Sequence, residues 1–464
     1  MTTTMSTGAL RDAFDGFAGE IIGPEDAAYE EARRVFNASI DRRPALIVRP
    51  LHADDVARAV RVARNHRLPL AVRGGGHNGA GLGTCDDGIV VDLSRLRDID
   101  VDPKARTVSV GGGCTWAEVD RATNAFGLAT PSGIISTTGV GGLTLGGGLG
   151  HLTRGFGLTI DNLVAADVVL ADGRIVTADA TEHADLFWAL RGGGGNFGVV
   201  TRFVLRLHEL STVVGGPIFW PAEQTAEILV AYRDFLPAAP RTLGAFFLVA
   251  QVPPAPPFPE ELQLRKVCGV VVCYAGDDEA AASAAIAPLL ARTPEPLLNG
   301  VAAMPHPVLQ GAFDAVYPRG DQWYWRADFV TEIPDEAVAL HARFAQEIPS
   351  WKSTMHLYPV DGAAHDVGPA DTAWGYRDAT RSTVYAGVDA DPANLDAVRS
   401  WSVDYFTALH PYSSGGAYVN MMMDEGQERV RASYRENYDR LARVKADYDP
   451  ENVFRVNQNN EPRR

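Results

Sequence analysis

Apolar residues recur three and four positions apart over residues 54–66, where Val56, Ala59, Val60 and Ala63 share one helical face, and the pattern then contracts to a short apolar run over 69–72. The spacing predicts a helix leading into a buried strand. Further strands are expected over 89–93 and 107–111, followed by a helix opening near Thr115 with Trp116, Val119 and Phe126 as its buried stripe. The apolar run over 163–170 turns at Asp172-Gly173 into 175–177, a hairpin signal, and another strand covers 199–207. From about residue 208 the character changes. Prolines cluster at Pro253, Pro254, Pro256, Pro257 and Pro259, glycine-rich turns thin out, and a strand over 267–274 precedes a helix over 277–292. A domain boundary is expected there. Near the end, one amphipathic helix is expected over roughly 425–446, stopped before Tyr448-Asp449-Pro450. No internal repeat or low-complexity tract is visible.

A chain of 464 residues exceeds what one hydrophobic core usually spans, so two or three domains are expected. With 42 basic and 58 acidic residues the net charge is −16, which disfavours nucleic acid and anionic membrane surfaces as partners. No run of eighteen apolar residues occurs and the first thirty residues lack an apolar signal core, so a soluble, cytoplasmic protein is expected. Four cysteines do not make a disulfide framework, and Cys268 and Cys273, five apart in a strand-like run, should face opposite ways. No Cys/His metal site is apparent.

Two glycine-rich blocks carry the chemistry. In Arg73-Gly74-Gly75-Gly76-His77-Asn78-Gly79 an imidazole, a nucleophile toward an electrophilic cofactor, sits in a turn where a backbone without Cβ atoms can approach a large flat ligand. The block from Pro131 to Gly150 has glycine at seven of its last twelve positions. Such a run presents successive N–H groups, a cradle for a pyrophosphate, and its interleaved Ile134, Ile135, Val140 and Leu143 argue against a flexible linker. Gly74 to Gly79 and Gly193 to Gly198 both fit G-x-G-x-x-G, yet neither lies in a strand–turn–helix context, so a Rossmann dinucleotide site is not indicated.

Taken in order, Arg49-Pro50, RGGGHN (73–78), GIVVDLSRL (88–96), PSGIISTTGVGGLTLGGGLG (131–150), RGFGLTIDNL (154–163), DLFWALRGGGGNFGVVT (185–201) and YDPENVFRVNQN (448–459) resemble the flavin-linked oxidases of the vanillyl-alcohol oxidase and p-cresol methylhydroxylase superfamily, in its berberine-bridge-enzyme-like branch. The resemblance implies an α+β fold: a two-lobed, PCMH-type FAD-binding domain over 1–207, an inserted substrate-binding domain with an antiparallel sheet over 208–414, and a C-terminal segment, 415–464, returning to the FAD domain.

Carried over residue by residue, the resemblance makes His77 the covalent anchor of the flavin 8α-methyl. Many relatives hold a second, cysteine tether where this chain has Ile135, so one covalent link is expected; Cys85 and Cys114 do not match that position. Gly74, Gly75, Gly76 and Asn78 correspond to the pyrophosphate loop, with Arg73 and Gly79 also among the expected cofactor-binding residues. Pro131, Gly133, Thr138, Gly139, Gly141, Gly142 and Gly146 would flank the cofactor, Val199 would lie on the adenine side, and Asn457 and Asn459 would close over the isoalloxazine or ribityl chain. Thr138 falls at a position near flavin C4a, where a small branched residue leaves room for dioxygen. The acid/base machinery departs from the family: Met421 stands where many relatives have tyrosine, and no acid occurs over 381–385. Candidate catalytic residues are Tyr418, Tyr385, Tyr324 and His151, with Thr138 beside the flavin. Trp323, Trp325, Trp351 and Trp374 are candidate stacking surfaces.

The expected function is an FAD-dependent oxidase that moves a hydride from an alcohol, sugar or secondary-metabolite substrate to flavin N5 and is reoxidised by dioxygen to give hydrogen peroxide. A dehydrogenase with another acceptor, and a flavin-binding protein without turnover, stay open at this point. The expected partners are the small-molecule substrate and dioxygen; the sequence does not speak to oligomeric state.

Overall fold

The structure, a computed structural model, describes residues 7–463. Its first sheet runs Glu20–Ile22, Leu46–Arg49, Ile89–Asp92, Leu70–Arg73, the last three parallel. The helix Ala53–His66 is the crossover that a parallel pair requires. It opens on a His52 side chain that accepts from the Asp55 amide and ends at Arg67 in the left-handed region, φ 55°. Val56, Ala59, Val60 and Ala63 are fully buried in one cluster with Leu46, Ile89 and Val91, as the 54–66 periodicity requires. Register pairs Arg73 with Asp92 at the C-terminal edge of this sheet, where the glycine turn departs.

A second, antiparallel sheet runs Ile99–Asp102, Thr107–Gly111, Val199–Arg206, Leu163–Val169, Ile175–Asp179. The hairpin between its last two strands turns at Gly173, φ 84°. The helix after Thr115 is Trp116–Asn124, closed by a capping box with Glu118. Trp116 and Val119 are buried, but Phe126 is 54% exposed because it follows the helix end and leaves the buried stripe.

From Thr212 the chain builds an antiparallel sheet in the order Leu298–Asn299, Thr212–Pro221, Lys266–Ala275, Leu243–Gln251, Thr354–Pro359, Arg381–Asp389, Gln322–Val330, with Ala302–Pro305 paired to Thr212–Pro221. Helices Thr225–Phe235, Asp335–Gln346 and Leu395–Leu409 bury one face of it. The other face, with Phe246, Leu248, Trp323, Tyr358 and Val384, packs with Phe36, Ile134, Leu149 and Leu158 of the N-terminal half. Cys268 and Cys273 do fall in different clusters.

The C-terminal helix is broken in two, Gln427–Tyr434 and Asn437–Tyr448. Arg435 sits between them at φ 49°, with its guanidinium on Asp378 at 2.6 Å and over the Tyr376 ring at 3.6 Å, contacts that amphipathic spacing does not reveal. Lys445, fully buried, then donates to Asn196 O (2.6 Å), Phe454 O (3.1 Å) and Asp449 Oδ2 (2.6 Å), fixing the tail against the N-terminal half. Among the described residues no helix is long and apolar enough to cross a membrane, and no group of three His, Cys, Asp or Glu residues could hold a metal ion.

Candidate active site

A cavity of about 340 Å³ lies where the two glycine blocks, the inner face of the large sheet and the C-terminal tail meet. Its glycines serve different physical ends. A Cβ on Gly75 would stand 2.3 Å from the Gly139 amide nitrogen, and one on Gly139 would stand 2.1 Å from that of Gly75, so the two blocks touch backbone to backbone. A Cβ on Gly142 or Gly195 would meet nothing within 4 Å, because those positions open on the cavity. Gly76 takes φ 73° and its carbonyl accepts from the Phe36 amide at 3.0 Å. Among the described residues the amides of Gly74, Gly75, Gly76, His77 and Asn78 donate to no protein acceptor. Five consecutive unpaired donors in residues that line a cavity fit a ligand rich in anionic oxygen.

His77 is held on three sides. Phe36 stacks on its ring at 3.9 Å and 19°, Thr137 Oγ1 lies 3.1 Å from Nε2, and Thr138 Oγ1 lies 3.5 Å from Nδ1. Burial, with the nearby Arg319 charge, lowers its pKa to about 4, so the imidazole is neutral and nucleophilic at ordinary pH. Arg73 borders the cavity, but its guanidinium turns inward to Asp92 Oδ2 (3.1 Å) and Ala32 O (2.7 Å). Burial alone would push the Asp92 carboxyl up; Arg73 and Arg49 together hold it below its ordinary value.

Gly74, Gly75, Gly76, Asn78, Gly133, Ile135, Thr138, Gly139, Gly141, Gly142 and Asn457 all line the cavity with His77. Others from the glycine blocks and the tail do not. Gly79 is buried behind the wall, where a Cβ would strike the Trp325 indole at 2.4 Å. Pro131 gives its carbonyl to Thr159 Oγ1 at 2.9 Å, and Gly146 backs the Asn420 side chain, which a Cβ would meet at 2.3 Å. Val199 belongs to the core cluster of the first sheet, and strand alternation presents Gly198 and Val200 instead. Asn459 is likewise off the cavity, whereas Asn457 and Gln458 line it. Asn457 donates to Gly195 O at 3.1 Å and Phe454 O at 2.8 Å, and its Oδ1 is buried without a partner, an acceptor available to a ligand.

Of the candidate catalytic residues, Tyr418 and Thr138 line the cavity. The Tyr418 oxygen accepts from the Gly148 amide (2.9 Å) and Asn420 Nδ2 (2.8 Å), and burial pushes its pKa up to about 12. It is therefore a neutral phenol. Tyr385, Tyr324 and His151 do not reach the cavity. On the strand Arg381–Asp389 the cavity side chains are Val384 and Ala386, and Tyr385 points the other way against Tyr405 at 4.6 Å. On Gln322–Val330 they are Trp323 and Trp325, and Tyr324 turns toward Arg399 and Arg326, 5.0 and 5.7 Å from its ring. His151 is buried behind Phe246, ring centroids 5.9 Å apart. Trp351 and Trp374 also lie off the cavity.

The sequence reading missed Tyr317, Thr354, His356 and Tyr358. All four line the cavity, and the last three alternate along Thr354–Pro359 while Met355 and Leu357 fill the opposite core. That period-two pattern of hydrogen-bonding side chains is the signal that could have found them. The Tyr358 hydroxyl and His356 Nδ1 are hydrogen-bonded. Among the described residues, apart from Arg73, whose charge is spent on Asp92, no Asp, Glu, Lys or Arg lines the cavity.

The donor set fits FAD: unpaired amides and a glycine cradle for its pyrophosphate, a neutral histidine for the flavin edge, and an orphan acceptor from the tail. Comparison with known proteins agrees. The family model described as an FAD binding domain matches residues 44–179, and that described as berberine and berberine like matches 417–459. The chain is 31% identical to (R)-6-hydroxynicotine oxidase of Paenarthrobacter nicotinovorans over 96% of this chain and 97% of that one. It is 30% identical to an FAD-linked oxidoreductase of Dictyostelium discoideum, over 93% and 92% respectively. The crystal structure of 6-hydroxy-D-nicotine oxidase from Arthrobacter nicotinovorans superimposes with a TM-score of 0.85 at 28% identity, covering 97% of this chain and 99% of that one.

Proposed function

Because this chain belongs to the berberine-like family of FAD-linked oxidoreductases, we propose that it is an oxidase in which FAD, tethered through His77 alone, takes a hydride from an uncharged hydroxy compound and is reoxidised by dioxygen. When bound, the flavin supplies a hydride acceptor at N5 and passes the electrons to oxygen.

The observation that carries this reading is the joining of five unpaired amides, Gly74 to Asn78, with a neutral, stacked His77 in one cavity. The amides bind the pyrophosphate, Gly142 and Gly195 leave room for the cofactor, and Asn457 orients it from the tail side. His77, free of a proton at neutral pH, has the lone pair that alkylation by the flavin methyl requires. Ile135 offers no sulfur at the cavity wall, and the four thiols are all buried elsewhere, which supports a single tether. Thr138, small and branched, lines the cavity beside His77 and leaves space for dioxygen.

Acid precipitation of the purified protein tests the cofactor part. Yellow colour should stay in the pellet, with flavin mass on the peptide containing His77. Peroxide release in air on a panel of neutral alcohols, hydroxylated rings and sugars tests the oxidase part. Free FAD in the supernatant would remove the tether, and a bleached flavin that stays reduced in air would replace the oxidase by a dehydrogenase.

A further inference from the structure

Met421 cannot accept a proton, Tyr385, Tyr324 and His151 are off the cavity, and the Tyr418 oxygen already accepts from the Gly148 amide and Asn420 Nδ2. The cavity wall does hold one imidazole besides His77. His356 lies on the strand Thr354–Pro359, is 3% exposed and reaches the cavity between Thr354 and Tyr358, with Phe246 5.0 Å from its ring centroid. Its Nδ1 is hydrogen-bonded to the Tyr358 hydroxyl. Among the described residues that hydroxyl has no other hydrogen-bond partner; in the tautomer that carries its hydrogen on Nε2 the phenol donates to Nδ1, which leaves the phenol oxygen's lone pairs for a second donor.

We propose that Tyr358 and His356 form the proton-accepting pair of this site: the substrate hydroxyl donates to Tyr358 Oη as the phenol hands its own proton to His356 Nδ1. This rests on the oxidase reading above. The step balances. The C–H bond breaks with its electron pair going to the flavin as hydride, the O–H pair becomes the second bond of the carbonyl, and the proton ends on His356 as imidazolium. A neutral imidazole suffices as acceptor, because the hydroxyl proton becomes strongly acidic as hydride leaves. Burial, and the charge that His151 would carry, keep His356 neutral before the reaction, with its pKa lowered to about 3. The surrounding wall sets the substrate class. Tyr317, Trp323, Trp325 and Met421 are apolar or aromatic and among the described residues no free charge lines the cavity, so the hydroxyl belongs to an uncharged compound with a flat face.

The holoenzyme tests this in two arms. Calorimetric titration compares para-chlorophenol with para-chlorotoluene, which differ only in the hydroxyl. The wild type should prefer the phenol roughly tenfold, and Y358F should bind both alike. H356Q, which still accepts from Tyr358 but cannot hold the proton, should keep the preference. In the second arm, anaerobic reduction of the flavin by the best alcohol found should slow by roughly a hundredfold or more in both Y358F and H356Q, with flavin content and melting temperature unchanged. A phenol preference that survives Y358F, or wild-type reduction in H356Q, overturns the proposal. If the binding arm behaves as expected and no alcohol bleaches the wild-type flavin, the oxidase reading fails while the hydroxyl site stands.

Discussion

Phe36 stacks face to face on His77 at 3.9 Å, and the same residue's amide is bonded to the Gly76 carbonyl at 3.0 Å, so one residue fixes both the turn and the ring it carries. The stack leaves the imidazole nitrogens to Thr137 and Thr138. Replacing Phe36 with alanine keeps the nucleophile but frees its rotation. F36A should bind FAD with the covalent fraction in acid-precipitated protein reduced several-fold, whereas H77A should bind it without any covalent fraction. Full attachment in F36A would show that the stack is dispensable.

Gly139 and Gly142 lie three residues apart and should respond in opposite ways. G139A forces a Cβ to 2.1 Å from the Gly75 amide nitrogen and should destabilise the apoprotein by about 1–3 kcal/mol, since the obstacle is backbone. G142A meets nothing within 4 Å, so the apoprotein should melt normally while FAD affinity falls. Denaturant titration of the apo forms with flavin titration separates the two; equal stability losses would contradict the back-to-back contact.

Arg73 pairs with Asp92 at 3.1 Å with both side chains buried, and Arg49 shares the same carboxylate oxygen at 3.1 Å. R73A leaves Asp92 with one cationic partner, Arg49, beside the Ser94 amide, and should cost about 3 kcal/mol or more. The double change R73M/D92L should recover most of that loss. Chemical denaturation of the three proteins decides, and a harmless R73A would mean that Arg49 and the Ser94 amide suffice for the carboxylate.

Burial lowers the pKa of His151, His341 and His356 from 6.5 to about 3 and that of His306 to about 4; the His306 charge adds to the effect on His151. The folded state therefore binds fewer protons than the unfolded chain between about pH 6.5 and these values. Stability should rise with pH across that window and be lost as pH falls, each histidine adding a slope of up to roughly 1.4 kcal/mol per pH unit. Denaturation midpoints at pH 7 and pH 5 test it. H341F, far from the cavity, should flatten the slope without touching flavin binding.

All four cysteines are free and buried, and burial pushes Cys85 up to about 11 and Cys114, Cys268 and Cys273 up to about 12. No thiolate is available to alkylation or to the flavin. Ellman's reagent should find no reactive thiol in the native holoprotein and four after denaturation.

Elements whose patterns are local were legible in the chain alone: the 54–66 helix and the strand after it, the hairpin at Gly173, and the glycine blocks with His77, whose order along the chain also identified the family. Periodicity records which face of an element is buried, and a run of glycine records where backbone must approach something closely. Tertiary structure decided what those faces meet. It broke the last helix at Arg435 for the sake of Asp378 and Tyr376, left Phe126 in solvent, and gave Gly79 to the Trp325 indole instead of a ligand. It also chose between neighbours on a strand. Tyr385 and Tyr324 differ from Val384, Ala386, Trp323 and Trp325 by a single residue, and that step is the difference between cavity and core. Sequence spacing shows that adjacent side chains point apart; only the packing of helices against one face of the large sheet fixes which of them looks into the cavity, and so puts His356 and Tyr358 there.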